Sequence, residues 1–475
     1  MLKEQKRKTK IVCTIGPASE SPQVLEAMVR AGMNVARLNF SHGTHEEHLK
    51  KIEILRHISD RLKQPVSILQ DLSGPKIRIG KVTEGGAELR RGGNFFLTTR
   101  EVPGDRNGVS VSYPTLPDEM QPGDTILLAD GTIELQVLKI GGRDVQCRVT
   151  VGGLLTSNKG INFPTRTIRA SAFTEKDRED LLFGIRSGVD LIGLSFVKDA
   201  RDIDAVREVL KTASADTPVI AKIERKEALE HIDEILSAFD GVMVARGDLG
   251  METPLERIPL VQKMLIRKAN ALGKPVITAT QMLRSMVDHT RPTRAEVTDV
   301  VNAIYDGTDA VMLSEETATG QFPVESVQTM AKVAQAAEEE FPFDQFLKKD
   351  SEGGKDLPQS ISYVASLLAE RVGAVAIITP TESGSTARWV SRLRPRQPIL
   401  ALSRHPSTVK RLNLSWGVQP ILVPGWKDTD DMLEGSRRIP KELGLASPGD
   451  RIVIIAGVPI SIRGTTNLIK VEIVE

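Results

Sequence analysis

Short apolar runs alternate with amphipathic stretches along most of the chain. The runs begin near Ile11 (IVCTI), Asn34 (NVARL), Val66 (VSILQ), Asp190 (DLIGL), Pro218 (PVIAK), Gly241 (GVMVA), Pro275 (PVITA) and Asp309 (DAVML). Each is continuous rather than alternating and mostly bounded by Gly, Pro or Asp, the pattern of a parallel strand buried on both faces. Helix signals fill the gaps. Ser21 and Pro22 supply an N-cap and a first-turn proline, and Gly32 a stop. Thr174 with Asp177, and Thr293 with Glu296, fit the capping box, in which a hydroxyl and an acid three residues apart satisfy backbone donors reciprocally. Val297, Val300, Val301 and Ile304 then share one helical face.

Eight strands alternating with helices predict a (β/α)8 (TIM) barrel, in which chemistry sits at the carboxyl ends of the strands. The third and fourth runs start 124 residues apart, whereas the other spacings lie between 23 and 34. The excess is the size of a small domain. A barrel over residues 1–72 and 170–342 is therefore expected, interrupted by an insertion over 73–169. Within the insertion, Asp130 and Gly131 separate apolar runs at 125–129 and 132–138, and the pairs Gly141-Gly142 and Gly152-Gly153 punctuate others, predicting an all-β module. The polar stretch 348–355 reads as a linker. Beyond it, runs at 375–378, 399–402, 420–423, 452–456 and 468–474 predict an open α/β domain over 343–475.

Composition removes several functional classes. With 40% hydrophobic and 26% charged residues the chain has enough of both for real cores and a soluble surface. Lys and Arg number 63 against 62 acids, so no global field draws it to nucleic acid or anionic lipid. Aromatic residues at 4% argue against a base-stacking surface. No apolar run nears the ~20 residues needed to span a bilayer, and the basic start is followed by too short a run for a secretory signal. Only Cys13 and Cys147 are present, which excludes a disulfide framework and points to a reducing, cytoplasmic setting.

The predicted strand ends concentrate polar residues. Arg37, Asn39, Ser41 and His42 follow the second strand and Asp71 the third; Ser195 and Phe196 follow the fourth. Lys222 and Glu224 end the fifth, Arg246 and Asp248 the sixth, Thr278, Thr280 and Gln281 the seventh, Ser314 and Glu315 the eighth. Loops facing water explain part of this, but not Lys222 and Glu224, two residues apart and so on one face of a strand. Glu224 and Asp248 form a sparse, oxygen-only set suited to Mg²⁺ or Mn²⁺, which keep positions open for water and substrate oxygens. Lys222 and Arg37 complement phosphate charge, and Gly247 allows close backbone approach. The residues alone indicate a metal-dependent site for a small phosphorylated or carboxylated ligand.

Several motifs then become specific. TKIVCTIGP at 9–17, ARLNFSHG at 36–43, DLSGPKIR at 71–78, KIE at 222–224, VMVARGDLG at 242–250 and ATQML at 279–283 resemble the pyruvate kinases, in that family's order. The resemblance implies a catalytic barrel, an inserted β-barrel lid and a C-terminal effector domain. It implies Mg²⁺-dependent phosphoryl transfer from phosphoenolpyruvate to ADP, giving pyruvate and ATP, in a cytoplasmic homotetramer of the last glycolytic step. On it, Glu224 and Asp248 hold the metal. Lys222 and Arg37 stabilise the phosphoryl group. Arg246, Gly247, Asp248 and Thr280 meet the substrate's carboxylate end, and Thr280 relays a proton through water. Asn39, Phe40, Ser41, His42, Arg78 and Lys159 meet the nucleotide. Asn39, Ser41 and Asp71 match potassium ligands, but Leu72 offers no side-chain oxygen and Lys76 stands where potassium-dependent members have Glu. Activity without K⁺ is therefore expected, a tethered ammonium replacing the cation. The hydroxyl-rich turn with Thr381, Ser383, Gly384, Ser385 and Thr386 matches the family's effector site for sugar phosphates or AMP, near Trp426 and the loop 457–464. Glu382 replaces the Lys common in fructose-bisphosphate-responsive members. At this length the extra C-terminal domain of some bacterial relatives is not expected.

Other signals carry less. His45 and His48 are three apart, not the four of a zincin, and read as an exposed helix start. Residues 74–81 miss the P-loop spacing. Cys13 reads as a core residue. Two rival readings are a nucleotide-free barrel lyase and an inactive effector-binding protein; intact Lys222, Glu224, Asp248 and Thr280 oppose the second.

Overall fold

The computed structural model describes residues 7–349, 356–460 and 464–475. All eight predicted runs form strands, at Lys10–Thr14, Val35–Asn39, Ser67–Asp71, Leu191–Leu194, Val219–Ile223, Gly241–Ala245, Val276–Ala279 and Ala310–Leu313. They pair in parallel, in sequence order, and close into a barrel. Continuous burial of these runs has its reason here: one face points into the barrel and the other under the helices. The interior is a packed layer of Val12, Val35, Leu69, Leu191, Ile220, Met243, Ile277, Ala310 and Met312, joined by Leu414 from far along the chain. Helices begin where the capping signals placed them. Ser21 caps Pro22–Ala31, and Thr174 and Thr293 make reciprocal capping boxes with Asp177 and Glu296. Val300 and Ile304 of the latter helix are fully buried, with Val297 and Val301 half-buried beside them.

The long insertion holds a six-stranded sheet in the order Ile161–Asn162, Thr125–Leu128, Ile133–Gly141, Asp144–Val151, Asn94–Thr98, Gly108–Ser110, with Ala87–Leu89 and Gly153–Leu155 paired beside it. Isolated bridges from Arg78 to Gly160 and from Ile79 to Val111 tie both sheet edges to one segment, so the sheet curls round on itself. One element departs from the all-β expectation: a single helical turn at Leu116–Glu119, led by Thr115 and carrying Pro117 early, where proline's missing donor costs nothing.

The C-terminal part is a five-stranded sheet, ordered Val418–Leu422, Ile399–Ser403, Ala376–Pro380, Arg451–Gly457, Thr466–Ile473. Four strands are parallel and the last is antiparallel, since the eight residues 458–465 that join it to its neighbour are too few for the crossover a parallel pair needs. The stretch expected as a linker is partly structured: helix Phe343–Lys349 takes in its first two residues, and the remainder lies outside the described residues. The domain docks on the barrel end opposite the polar rim. Arg394, 1% exposed, pairs with Asp309 at 3.1 Å and donates to the Gly307 carbonyl, while Lys10 donates to the Val418 carbonyl at 2.7 Å. No described helix is long and apolar enough to cross a membrane.

Candidate active site

The rim is organised around Asp71, at the end of the third barrel strand and 1% exposed. Its register places it beside Asn39 on one side and Gly193 on the other. Gly193 has no side chain to occupy this space; a methyl there would sit 3.4 Å from Asp71 Oδ1 and 3.7 Å from the Lys222 chain. Two cations converge through the opening. Arg37 reaches Asp71 Oδ2 through Nη2 at 2.5 Å and Nε at 2.6 Å, and also donates to Thr14 Oγ1. Lys222 Nζ lies 3.1 Å from Asp71 Oδ1, 2.9 Å from Glu224 Oε1 and 2.7 Å from Ser195 Oγ. Burial alone would push the Asp71 carboxyl up, but Arg37 and Lys222 together hold it below its ordinary value. Burial likewise favours neutral Lys222, yet Asp71 and Glu224 outweigh it and keep the ammonium protonated well above the usual lysine range. Lys222 is thereby fixed as a cation.

Glu224 is 2% exposed and accepts the Phe196 N–H at 2.7 Å. Burial raises its pKa, and nearby Asp248 raises it further against the pull of Lys222. Asp248, on the next strand's end, is exposed. Two acids that repel across a wet rim fit a hard divalent cation, which would relieve that repulsion. Among the described residues no three or more His, Cys, Asp or Glu side chains gather to bind a metal, so such an ion would draw further ligands from water and substrate.

Thr280 and Gln281 follow the seventh strand in the left-handed region, φ 67° and 54°, where a β-branched residue is strained. The strain is locked by neighbours. Thr280 Oγ1 accepts the Gly247 N–H at 2.8 Å and donates to the Ala279 carbonyl at 2.6 Å. Arg246 donates to the Thr280 and Ala279 carbonyls and pairs with Asp299 at 2.8 Å. The Arg246 guanidinium is engaged inside the protein and braces Thr280 from behind. A methyl on Gly247 would lie 3.5 Å from Thr280, so glycine here leaves that side chain uncovered.

Of the residues expected at the nucleotide, Phe40 is not available. Its ring is 2% exposed and packs in the barrel's outer core. Asn39 accepts the Ser41 N–H, and His42 stands exposed beside them. Partial burial, then Lys76, Arg78 and Arg37, depress the His42 pKa, a mark of crowded positive charge. Arg78 donates to the Asn158 carbonyl, which sets it next to half-buried Lys159 on the inserted sheet's closing seam. Lys76 makes no ion pair with any described residue; burial and then Lys222 and Arg78 lower its pKa, while Asp71 and Asp248 oppose. Leu72 is buried, its carbonyl taken by Ser195. Thr14 and Gly193 were missed as site residues, since pairing across strands, not local pattern, brings them to Arg37 and Asp71. Nor is the His45 start the exposed pair expected: His48 is 4% exposed.

The turn after strand Ala376–Pro380 opens helix Ser385–Ser391, with Gly384 at φ 83°. It lines an open pocket with Arg404, Trp426, Gly457 and Gly464; Ser461, Ile462 and Arg463 of that loop lie outside the described residues. Thr381 and Ser383 use their hydroxyls locally, on Gly384 N–H and Ser385. Thr386 also lines the pocket, 5% exposed, with its hydroxyl 2.7 Å from that of Thr466. Glu382 pairs with Arg404 and His405.

Comparison with known proteins agrees with this construction. Residues 6–327 match the family described as pyruvate kinase, barrel domain, and residues 359–472 that described as pyruvate kinase, alpha/beta domain. The chain is 44% identical to the pyruvate kinase of Clostridium acetobutylicum, covering 99% of this chain and 100% of that one. It is 48% identical to pyruvate kinase 2 of Synechocystis sp., covering 99% of this chain and 80% of the longer relative. The crystal structure of a pyruvate kinase from Cryptosporidium parvum superposes with a TM-score of 0.93 at 38% identity, covering 99% and 97% of the two chains. With the fold, the rim and the full length of the chain in agreement, this protein belongs to the pyruvate kinase family.

Proposed function

We propose that the Asp71-centred rim transfers the phosphoryl group of phosphoenolpyruvate to ADP. The observation that carries this is the pair of cations, Arg37 and Lys222, fixed on one buried carboxylate beside the acids Glu224 and Asp248. Phosphoryl transfer needs positioning and charge neutralisation more than covalent help. An ADP β-phosphate oxygen bonds to phosphorus as the bond from phosphorus to the enol oxygen breaks. Arg37 and Lys222 stabilise charge on the equatorial oxygens, in a setting that needs no reorganisation. Glu224 and Asp248 would hold Mg²⁺ or Mn²⁺, which supplies further charge neutralisation when bound. Gly247, Asp248 and Thr280 meet the substrate's carboxylate, with Arg246 as their brace. The enolate then takes a proton at its methylene carbon, for which we assign the Thr280 hydroxyl, through a water, as the route.

Asn39, Ser41, His42, Arg78 and Lys159 meet the nucleotide, the last two from the inserted lid. The Lys76 ammonium, unpaired among the described residues, supplies the charge that a monovalent cation gives other members, so turnover proceeds without K⁺. We further place the reaction in the cytoplasm, in a homotetramer with a sugar-phosphate or AMP effector at the Thr381–Ser385 turn. The test is ATP and pyruvate formation from phosphoenolpyruvate and ADP, with and without Mg²⁺, and with KCl against a tetramethylammonium salt at matched ionic strength. No ATP despite pyruvate release would favour a lyase; a large KCl stimulation would remove the role given to Lys76.

A further inference from the structure

Residues 39–42 are held from beneath by side chains that do not line the rim. Helix His45–Leu62 starts immediately after them, and His48 sits one turn in. Its ring lies almost parallel on Phe40, centroids 4.0 Å apart and planes at 10°. Its Nε2 is 2.9 Å from the His42 carbonyl, which can only accept, so Nε2 carries a proton. The buried Nδ1 has no partner among the described residues, leaving the neutral ring as the form that fits, and burial favours that form. Lys176 donates to the Phe40 carbonyl at 2.9 Å. Asp180 holds Lys176 at 2.5 Å and His45 at 2.8 Å, and the His45 ring stacks on Phe183 at 4.2 Å. Both ends of the exposed turn are thereby pinned to helices of the barrel.

We propose that His48 is a positioning residue for the nucleotide: its ring face and its Nε2–H together fix residues 39–42 in the conformation that receives ADP. This rests on the reading of that segment as nucleotide-binding. The physical gain is preorganisation, since a turn already immobile has less conformational entropy to lose when the ligand binds. It also explains why Phe40, buried and remote from solvent, belongs to the same motif as Asn39 and His42: it is the surface His48 presses on.

Two substitutions separate the contributions. His48→Phe keeps the ring and deletes the donor; His48→Gln keeps a donor and deletes the ring. We expect each to raise the KM for ADP about 2- to 10-fold, the range of one hydrogen bond, with kcat and the KM for phosphoenolpyruvate within about twofold of the parent on that same scale. His42→Ala, measured alongside, tests the underlying reading. If His42→Ala raises the KM for ADP and neither His48 variant does, the inference is overturned and the reading stands. If none of the three moves it, both fall. Equal loss in kcat and in both KM values, or failure of both His48 variants to fold, makes His48 a core residue only and also overturns the proposal.

Discussion

At the scale of single residues, Arg37, Asp71, Lys222 and Glu224 hold one another's charges at the rim. Asp71→Asn keeps shape but removes the charge that outweighs burial at Lys222. We expect kcat to fall by about 10²- to 10³-fold, the effect of losing one preorganised electrostatic contact. The alkaline limb of the pH–rate profile should also move to lower pH, because Lys222 is then left closer to the neutral form that burial favours. Thr280→Val should slow enolate protonation more than phosphoryl transfer; equal slowing, read by single-turnover quench against solvent-proton incorporation, removes the relay. Glu252 gives a stability test away from the chemistry. Burial, reinforced by Glu227 and opposed by Arg225 and Lys226, pushes its carboxyl from 4.5 up to about 7. The folded state therefore keeps a proton that the unfolded chain releases earlier, so this stability is complete below about pH 4.5 and lost as pH rises through about 7. Glu252→Gln should exceed the parent in stability by about 3 kcal/mol at pH 8 and match it near pH 4.5 in urea titrations.

Between elements, the junction where the third barrel strand hands over to the inserted sheet is the most constrained. Gly74 has φ 65°, and its N–H bonds to Asp177, which also caps the next barrel helix. A methyl at Gly74 would lie 2.7 Å from the Phe196 ring and 3.1 Å from Ser195 Cβ. Ser195 is the hydroxyl that Lys222 uses. Gly74→Ala should thus cost about 1–3 kcal/mol through left-handed strain and overpacking, and lower kcat by displacing Lys222. Denaturant midpoints and steady-state rates check the two parts; a destabilised but fully active variant would uncouple the junction from the site.

For the whole molecule, the C-terminal domain is part of the barrel's structural closure. Leu414 completes the barrel-interior layer, and Arg394 meets Asp309, which also accepts the Trp416 N–H. Arg394→Met leaves that carboxylate buried with less compensation and should cost about 3–5 kcal/mol, measured as a lower urea midpoint for the barrel itself. A midpoint shift confined to the C-terminal sheet would show the docking to be superficial.

The chain's own pattern was enough for the strands, caps, insertion and terminal sheet, because strand burial and helix capping depend on residues close in sequence. The motifs likewise marked Arg37, Asp71, Lys222, Glu224, Asp248 and Thr280. Contact across the barrel decided the rest. Only strand register brings Asp71 under both Arg37 and Lys222, with Gly193 opposite. A side chain's direction depends on partners distant in sequence: Asp299 turns Arg246 inward, and Phe183 packs against Phe40 in the core. Sequence determined which chemistry was present, since residue type and local period are written in it; tertiary structure decided which groups line the rim and which face each other, since burial and pairing exist only once the chain closes.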